Sequence, residues 1–349
     1  MRLRPYTTGA STFLRAAIGP LPMPVRVNWA VTHRCNGRCL TCNIWRSAEH
    51  RELDTETFVR FFAANRHLVC LSLTGGEVFL RTDVVEIVAA ALASCPGLSL
   101  INITTNGLLT ERIVSDVGRI LDLKPHALCV VVSIDGPRSI HDTIRGSPGA
   151  YDRSVETFRR LRLLKHPKLD LYAGMTVSGH NLGHIEACFA GLQQEIPGFA
   201  ADEFNMNLAH VSAHYYRNLG FDLSFAAAAA KEVLAFFSAH AHGWDTRNLI
   251  ERVYHRHTAK FVATGHCPIR CRAADISCYV DPEGHVFPCH IDDECLGSLD
   301  EHAFSLARLG QSPRFRAARK RVRAGRCAQC WTPCGAYDSL LSQPWRFFA

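Results

Sequence analysis

Short apolar runs rich in β-branched residues alternate, over the first 220 residues or so, with longer stretches whose apolar positions recur every three or four residues. The short runs, at residues 25–31, 69–73, 98–104, 127–133, 169–177 and 204–211, predict strands. The periodic stretches, at 55–66, 83–94, 111–123, 151–165 and 185–194, predict helices, with Gly, Pro and Asn at the joins. A helix in every gap between six strands requires parallel pairing through right-handed crossovers. The pattern therefore predicts an α/β fold, a partial (β/α)6 TIM-like barrel. In such barrels reactive groups collect at the carboxyl ends of the strands. The distinctive motifs fall at those points: three cysteines after strand one, Gly75-Gly76-Glu77 after strand two, Thr105-Asn106-Gly107 after strand three and Asp135-Gly136-Pro137 after strand four.

Beyond about Asp222 the pattern changes. An alanine-rich helix at 225–240 leads through a linker into a cysteine-rich tail from His266 that contains only short strand-like pieces. The chain divides, on this reading, into a leader (1–24), a barrel (25–220), a helical linker (221–265) and a small C-terminal cysteine-rich domain (266–349) that needs a metal centre to fold. A length of 349 residues fits one large and one small domain, and 47% hydrophobic with 20% charged residues is ordinary for a globular chain. No apolar run reaches the roughly 18–20 residues of a membrane helix, and Arg15 and Gly19-Pro20 interrupt the moderately apolar start, so a cytoplasmic protein is expected. The net charge of +7 slightly favours an anionic substrate or partner. Its one concentration, the arginine-rich stretch at 314–326, reads as a solvated helix face and not as a nucleic-acid site.

Fifteen cysteines change the picture. They crowd at 35–42 and 267–334, and without an export signal such clusters are more often metal sites than disulfide frameworks. Cys70, Cys95, Cys129 and Cys188 lie in apolar surroundings and read as inert core residues. Cys35-x3-Cys39-x2-Cys42 puts three thiolates on one loop. A four-iron cluster normally takes four, so three would leave one iron open to a chelating molecule; a zinc site with a distant fourth ligand fits the spacing too. In the tail, Cys271 and Cys289 bracket a hairpin turning at Asp281-Pro282-Glu283-Gly284, and Cys327-x2-Cys330 follows, a layout that a zinc ribbon also uses.

The segment CNGRCLTCNIW resembles the cluster loop of the radical S-adenosylmethionine (SAM) superfamily. The resemblance implies that Cys35, Cys39 and Cys42 hold a [4Fe-4S] cluster whose open iron chelates SAM. It implies reductive cleavage of SAM to a 5′-deoxyadenosyl radical that abstracts a substrate hydrogen. Gly75, Gly76 and Glu77 are similar to the motif that receives the cofactor's amino group. Ser133 and Arg145 are implied as ribose and carboxylate contacts, with Thr105 and Asn106 as further ribose contacts and Met175 and Thr176 beside the adenine. Thr41 stands where the family often has an aromatic residue, so Ile44 or Trp45 must serve the adenine. The tail resembles the SPASM and twitch auxiliary-cluster domains. The shorter twitch form implies one auxiliary [4Fe-4S] cluster on Cys271, Cys289, Cys327 and Cys330, with Cys267 and Cys334 as the alternative ligands and Cys278 and Cys295 structural.

Strand six runs into His210, His214 and Tyr215, which belong at the barrel mouth as acid, base or hydrogen donor, or else pack against the tail. His180 and Asn181 after strand five are placed similarly. A closed auxiliary cluster suits electron transfer, hence oxidation: dehydrogenation of a small metabolite or maturation of a peptide, with an external one-electron donor such as flavodoxin or ferredoxin. A redox-neutral epimerase or carbon–carbon bond-forming enzyme is the alternative, and a zinc-binding regulatory protein is the reading from another class.

Overall fold

The computed structural model describes residues 16, 19, 21–47, 51–240 and 246–345. The expected leader therefore lies almost wholly outside the described residues. Six parallel strands run in sequence order, β1 (Arg26–Thr32), β2 (Cys70–Gly75), β3 (Leu100–Thr105), β4 (Leu128–Ser133), β5 (Leu169–Val177) and β6 (Phe204–Leu208). The helices between them are α1 (Thr55–Ala64), α2 (Val84–Ser94), α3 (Thr110–Asp122), α4 (Arg138–Arg145) and α5 (Ala150–Leu163) in one gap, and α6 (Ile185–Glu195). The expected arc of a (β/α)6 barrel is present. The short α4 was not anticipated; its polar sequence, RSIHDTIR, buries only His141 and Ile144.

Side chains alternate across each strand. On β1, Val27, Trp29 and Val31 point outward into the core, where Trp29 packs on Phe58 and Phe61 of α1 with ring centroids 4.5 and 4.6 Å apart. Arg26 and Asn28 point inward. The inward set continues as Ser72 and Thr74, Asn102 and Thr104, Gly174 and Thr176, Asn205 and Asn207. Barrels of this kind ordinarily fill their interior with layers of branched apolar residues. Here most interior positions are polar or small, with Leu100, Val131 and Tyr172 among them, and the barrel is hollow. A cavity of about 400 Å³ occupies it.

The tail is not a separate bead. Its first strand, β7 (Ser277–Val280), pairs parallel with β1, Asn28 lying opposite Tyr279, and β8 (His285–Phe287) and β9 (Gly297–Ser298) extend the same nine-stranded sheet antiparallel. After β6 come α7 (Ala226–His240) and α8 (Thr246–Thr264), the latter crossing most of the expected linker. Three tail helices follow, α9 (Leu306–Gly310), α10 (Pro313–Arg323) and α11 (Pro333–Leu341). Helix α10 carries the arginine-rich stretch, and three of its arginines are tied to tail carboxylates: Arg319 and Arg323 to the fully buried Asp275, Arg321 to Asp292 and Glu294. The stretch is a bracing element more than a solvated face. Among the described residues no helix is long and apolar enough to cross a membrane.

Candidate functional site

Cys35, Cys39 and Cys42 lie on the loop after β1, at the rim of the cavity. Gly37 sits between the thiols: a side-chain carbon there would lie in ordinary contact with Cys39 Sγ at 3.7 Å and Cys35 Sγ at 3.8 Å. Polar hydrogens converge on the sulfurs. The Gly37 amide donates to Cys35 Sγ at 3.4 Å, Asn106 Nδ2 approaches the same sulfur at 3.9 Å, and Arg145 Nη1 donates to Cys39 Sγ at 3.6 Å. Such donors favour anionic sulfur. Burial pushes the Cys35 thiol up to about 11 and the Cys42 thiol up to about 12, so a bound cation is what would hold them as thiolates.

Gly75 and Gly76 allow a close backbone crossing. A side chain on Gly75, which has φ +128°, would lie 2.2 Å from the Thr32 carbonyl oxygen, and one on Gly76 would lie 2.0 Å from that of Arg34. The glycines let β2 pass under the backbone that launches the cysteine loop, an arrangement pinned by Gly76 N–H to Thr32 O and Glu77 N–H to Arg34 O, both 2.8 Å. Both glycines also line the cavity. Glu77 does not: it is fully buried, and its carboxylate accepts from Asn106 N at 2.7 Å, Thr105 Oγ1 at 2.8 Å and Phe79 N at 3.2 Å. Burial pushes its carboxyl above the usual range. In this structure Glu77 braces the loop after β3 from within.

Thr105, Asn106, Ser133 and Arg145 all line the cavity, as do Thr41, Ile44, Trp45 and Thr176. Asn106 Nδ2 also donates to Asn36 Oδ1 at 2.7 Å, tying the β3 loop to the cysteine loop. Arg145 pairs with the buried Asp135 at 2.6 Å, so its charge is compensated within the protein. Met175 faces the other way, into the core. Asn181 braces the backbone at Asp135 and Thr176, and His180 lies 6.1 Å from the Phe221 ring; neither lines the cavity.

The trio after β6 separates. His210 is buried and lines the cavity. Tyr215 lines it too, its hydroxyl 2.7 Å from Thr74 Oγ1. His214 turns to the tail instead, stacked on Phe287 at 4.2 Å with its Nδ1 2.5 Å from Asp293 Oδ1, and its expected place at the reacting centre is not supported.

Sequence reasoning missed the far end of the cavity. Glu251 of α8 and Cys334 and Tyr337 of α11 line it, with Arg26 beside them bonded to Asp338 Oδ1 at 3.0 Å. Cys129 also lines it, so it is not the core residue expected. Only the long-range docking of α11 makes these residues neighbours of the barrel, and no local pattern announces that.

Cys271, Cys289, Cys327 and Cys330 line a second, smaller cleft inside the tail. Among the described residues no three His, Cys, Asp or Glu side chains close on one point in the manner of a single-ion site. A cluster several ångströms across needs its sulfurs held apart around a space. All four thiols are raised, with burial the main cause. Cys267 is close enough to these thiols to perturb Cys271 and Cys330, whereas Cys334 lines the barrel cavity. Cys278 is fully buried and Cys295 packs beside Tyr279 and Phe287.

The model of the radical SAM superfamily matches residues 29–188, and that of the SPASM iron–sulfur cluster-binding domain matches residues 271–331. Residues 29–188 of the chain belong to the radical SAM superfamily. This radical SAM chain thereby carries the domains of a SAM-binding [4Fe-4S] cluster, an auxiliary cluster and SAM itself, and the two sets of thiols, one lining the barrel cavity and one the tail cleft, fit those groups. It is similar to the bacteriocin biosynthesis protein AlbA of Bacillus subtilis (26% identity; 56% of this chain, 42% of the relative). It is similar to the AdoMet-dependent heme synthase of Methanosarcina barkeri (33%; 48% and 46%) and to the PqqA peptide cyclase of Methylorubrum extorquens (30%; 54% and 45%). The match thus spans less than half the length of these curated relatives. The structure of anSMEcpe with bound AdoMet superposes with a TM-score of 0.60 at 14% identity, covering 86% of this chain and 84% of that one, which shows the fold.

Proposed function

We propose that this chain is a peptide-modifying radical SAM enzyme of the oxidative kind. The observation that carries the reading is one continuous cavity, which joins the Cys35–Cys39–Cys42 rim to residues of the barrel interior and of the tail. When bound, the first cluster and SAM supply a one-electron reductant and a carbon radical able to take hydrogen from an unactivated C–H bond. The protein's own part is positioning. Cys35, Cys39 and Cys42 are the ligands of that cluster, with Arg145 and Asn106 stabilising sulfur charge. The backbone of Gly75 and Gly76, with Thr105 and Ser133, offers polar contacts to SAM, while Glu77 holds their loop in place. Cys271, Cys289, Cys327 and Cys330 are the auxiliary ligands. In this reading residues 25–220 form the catalytic barrel, 221–265 the helical link and 266–349 the auxiliary-cluster unit, working in the cytoplasm with flavodoxin or ferredoxin as electron donor.

A peptide is favoured over a tetrapyrrole, the kind of molecule the heme synthase relative suggests. Tetrapyrroles carry carboxylates, and the arginines that line the cavity among the described residues, Arg26 and Arg145, are already paired with Asp338 and Asp135. PqqA peptide cyclase supports the peptide class. A redox-neutral reaction has one feature in its favour, the Cys334 thiol and Tyr215 hydroxyl on the cavity wall as hydrogen donors.

The test is iron and sulfide content with electron paramagnetic resonance, on anaerobically reconstituted wild type and on the Cys35→Ala, Cys39→Ala, Cys42→Ala triple variant. Two four-iron clusters predict about eight irons in the wild type and about four in the variant. Only the wild type should form 5′-deoxyadenosine with dithionite. A wild type that binds iron but forms none overturns the catalytic reading; about four irons in the wild type and none in the variant remove the auxiliary cluster and the oxidative reaction with it.

A further inference from the structure

The seam between β1 and β7 forms one wall of the cavity, and its polar atoms are unusual. Asn28 and Tyr279 are register partners across the seam, and both line the cavity. Asn28 is 5% exposed and Tyr279 fully buried, yet Asn28 Oδ1 and Tyr279 Oη have no hydrogen-bond partner. A third such atom is His210 Nε2, on a side chain 9% exposed that lines the same cavity. Aromatic rings connect the three. Tyr215 lies 5.5 Å from Tyr279 and 5.8 Å from His290, and His290 is close enough to His210 to be perturbed by it. Native proteins pair nearly all buried polar atoms, so three unpaired ones lining one cavity mark a place where something else supplies the partners.

The chemistry of the atoms narrows the ligand. The His210 ring donates to the Trp331 carbonyl, which leaves Nε2 as a bare acceptor. Asn28 Oδ1 is an acceptor, and the Tyr279 hydroxyl can donate or accept. Burial pushes His210 down to about 4, so the ring is neutral. Arg26, on the same strand as Asn28, is paired with Asp338, and Glu251 at the far end of the cavity accepts from the Tyr337 hydroxyl at 2.7 Å. The three atoms therefore offer acceptors beside aromatic surface. Among the described residues the two arginines that line the cavity, Arg26 and Arg145, each have a carboxylate partner, whereas N–H donors flanked by planar groups match the three acceptor atoms.

We propose that Asn28 Oδ1, Tyr279 Oη and His210 Nε2 form a substrate subsite that receives backbone N–H groups of an uncharged peptide segment. The proposal rests on the peptide reading above and names the part of the protein that would carry it. Neither the cysteine loop nor the Gly75-Gly76 turn supplies any of the three atoms.

The test uses reconstituted, SAM-loaded protein and saturation-transfer NMR titrations of three probes: N-acetyl-alanyl-alanine N-methylamide, the same molecule with both internal amides N-methylated, and myo-inositol. The blocked dipeptide should bind wild type, and removing its N–H donors should weaken binding about tenfold, with inositol weaker still. Tyr279→Phe, which removes only the hydroxyl, and Asn28→Ala should each weaken dipeptide binding about fivefold. Equal binding of the N-methylated analogue, tighter binding of inositol, unchanged binding in both variants, or no dipeptide binding would each overturn the subsite; the last would mean that ordered water satisfies the three atoms. Wild-type 5′-deoxyadenosine formation with dithionite is measured on the same samples. If it is absent while the probes bind in the expected order, the catalytic reading falls and the subsite stands. If it is present while the order fails, the subsite falls alone.

Discussion

Replacing Glu77 separates two roles that its motif alone leaves merged. The carboxylate takes hydrogen bonds from Asn106 N, Thr105 Oγ1 and Phe79 N and has no exposed surface. Glu77→Leu keeps the bulk and strips the acceptors. Each buried donor left unpaired costs about 1–3 kcal/mol, and the two shortest bonds alone put the loss at about 2–6 kcal/mol. Relief of the carboxylate's own desolvation offsets part of that, so a net loss near about 3 kcal/mol is expected. Glu77→Gln keeps one acceptor oxygen but turns an amide toward donors and should cost about 1–2 kcal/mol. Urea unfolding of the metal-free protein, followed by fluorescence of the fully buried Trp29, measures both variants without any cofactor. The order wild type, Gln, Leu is expected. Midpoints unchanged in the metal-free variants, with SAM affinity lost in the reconstituted ones, would refute the bracing role and restore direct contact with the cofactor.

Gly76→Ala should prevent the cysteine loop from docking on β2, because its side chain would meet the Arg34 carbonyl at 2.0 Å; a loss of at least about 3 kcal/mol and of the iron held by the first cluster is expected, read by unfolding and iron content. Cys334→Ser should retain the auxiliary cluster's electron paramagnetic resonance signal, while Cys330→Ser should abolish it, because only Cys330 lines the tail cleft. Acid should destabilise the metal-free protein through buried neutral histidines. His141, whose Nδ1 accepts from Asp135 N, is pushed down to about 3, and His210 to about 4, with burial the leading cause in each. Their stabilisation is complete above the unfolded value of 6.5 and is lost as pH falls toward the folded values, by up to about 1.4 kcal/mol per histidine per pH unit. His141→Gln should flatten that slope in a series of melts between pH 7 and pH 4, and an unchanged slope would contradict the assignment.

The barrel was legible because its outward faces obey simple periodicities: Val27, Trp29 and Val31 alternate on β1, and Phe58, Phe61 and Phe62 recur on α1. The motifs were legible because each follows a strand end. What escaped was set by tertiary contact. Helix α8 read as linker because its apolar stripe, Ile250, Val253, Tyr254 and Phe261, is diluted by charged residues and histidines and finds its partners in the tail; Tyr254 is buried against Trp331, rings 5.8 Å apart. The three donors that surround the Glu77 carboxylate were not legible, because they come from the backbone of residues 79 and 106 and the Thr105 hydroxyl. His214 and His210, four residues apart on one irregular segment, face different partners, and no period predicts which turns inward.

The seam between β1 and β7 also bears on how the molecule is assembled. Strand β1 is formed by residues near the chain's beginning, but its free edge is closed only by residues 277–280. Until those are made and docked, a barrel synthesised through β6 presents an open parallel edge beside the loop that carries Cys35, Cys39 and Cys42. A segment made long after β1 therefore closes that strand, and a chain cut at the tail boundary would be a sticky intermediate with its cysteines uncovered, not a smaller working barrel.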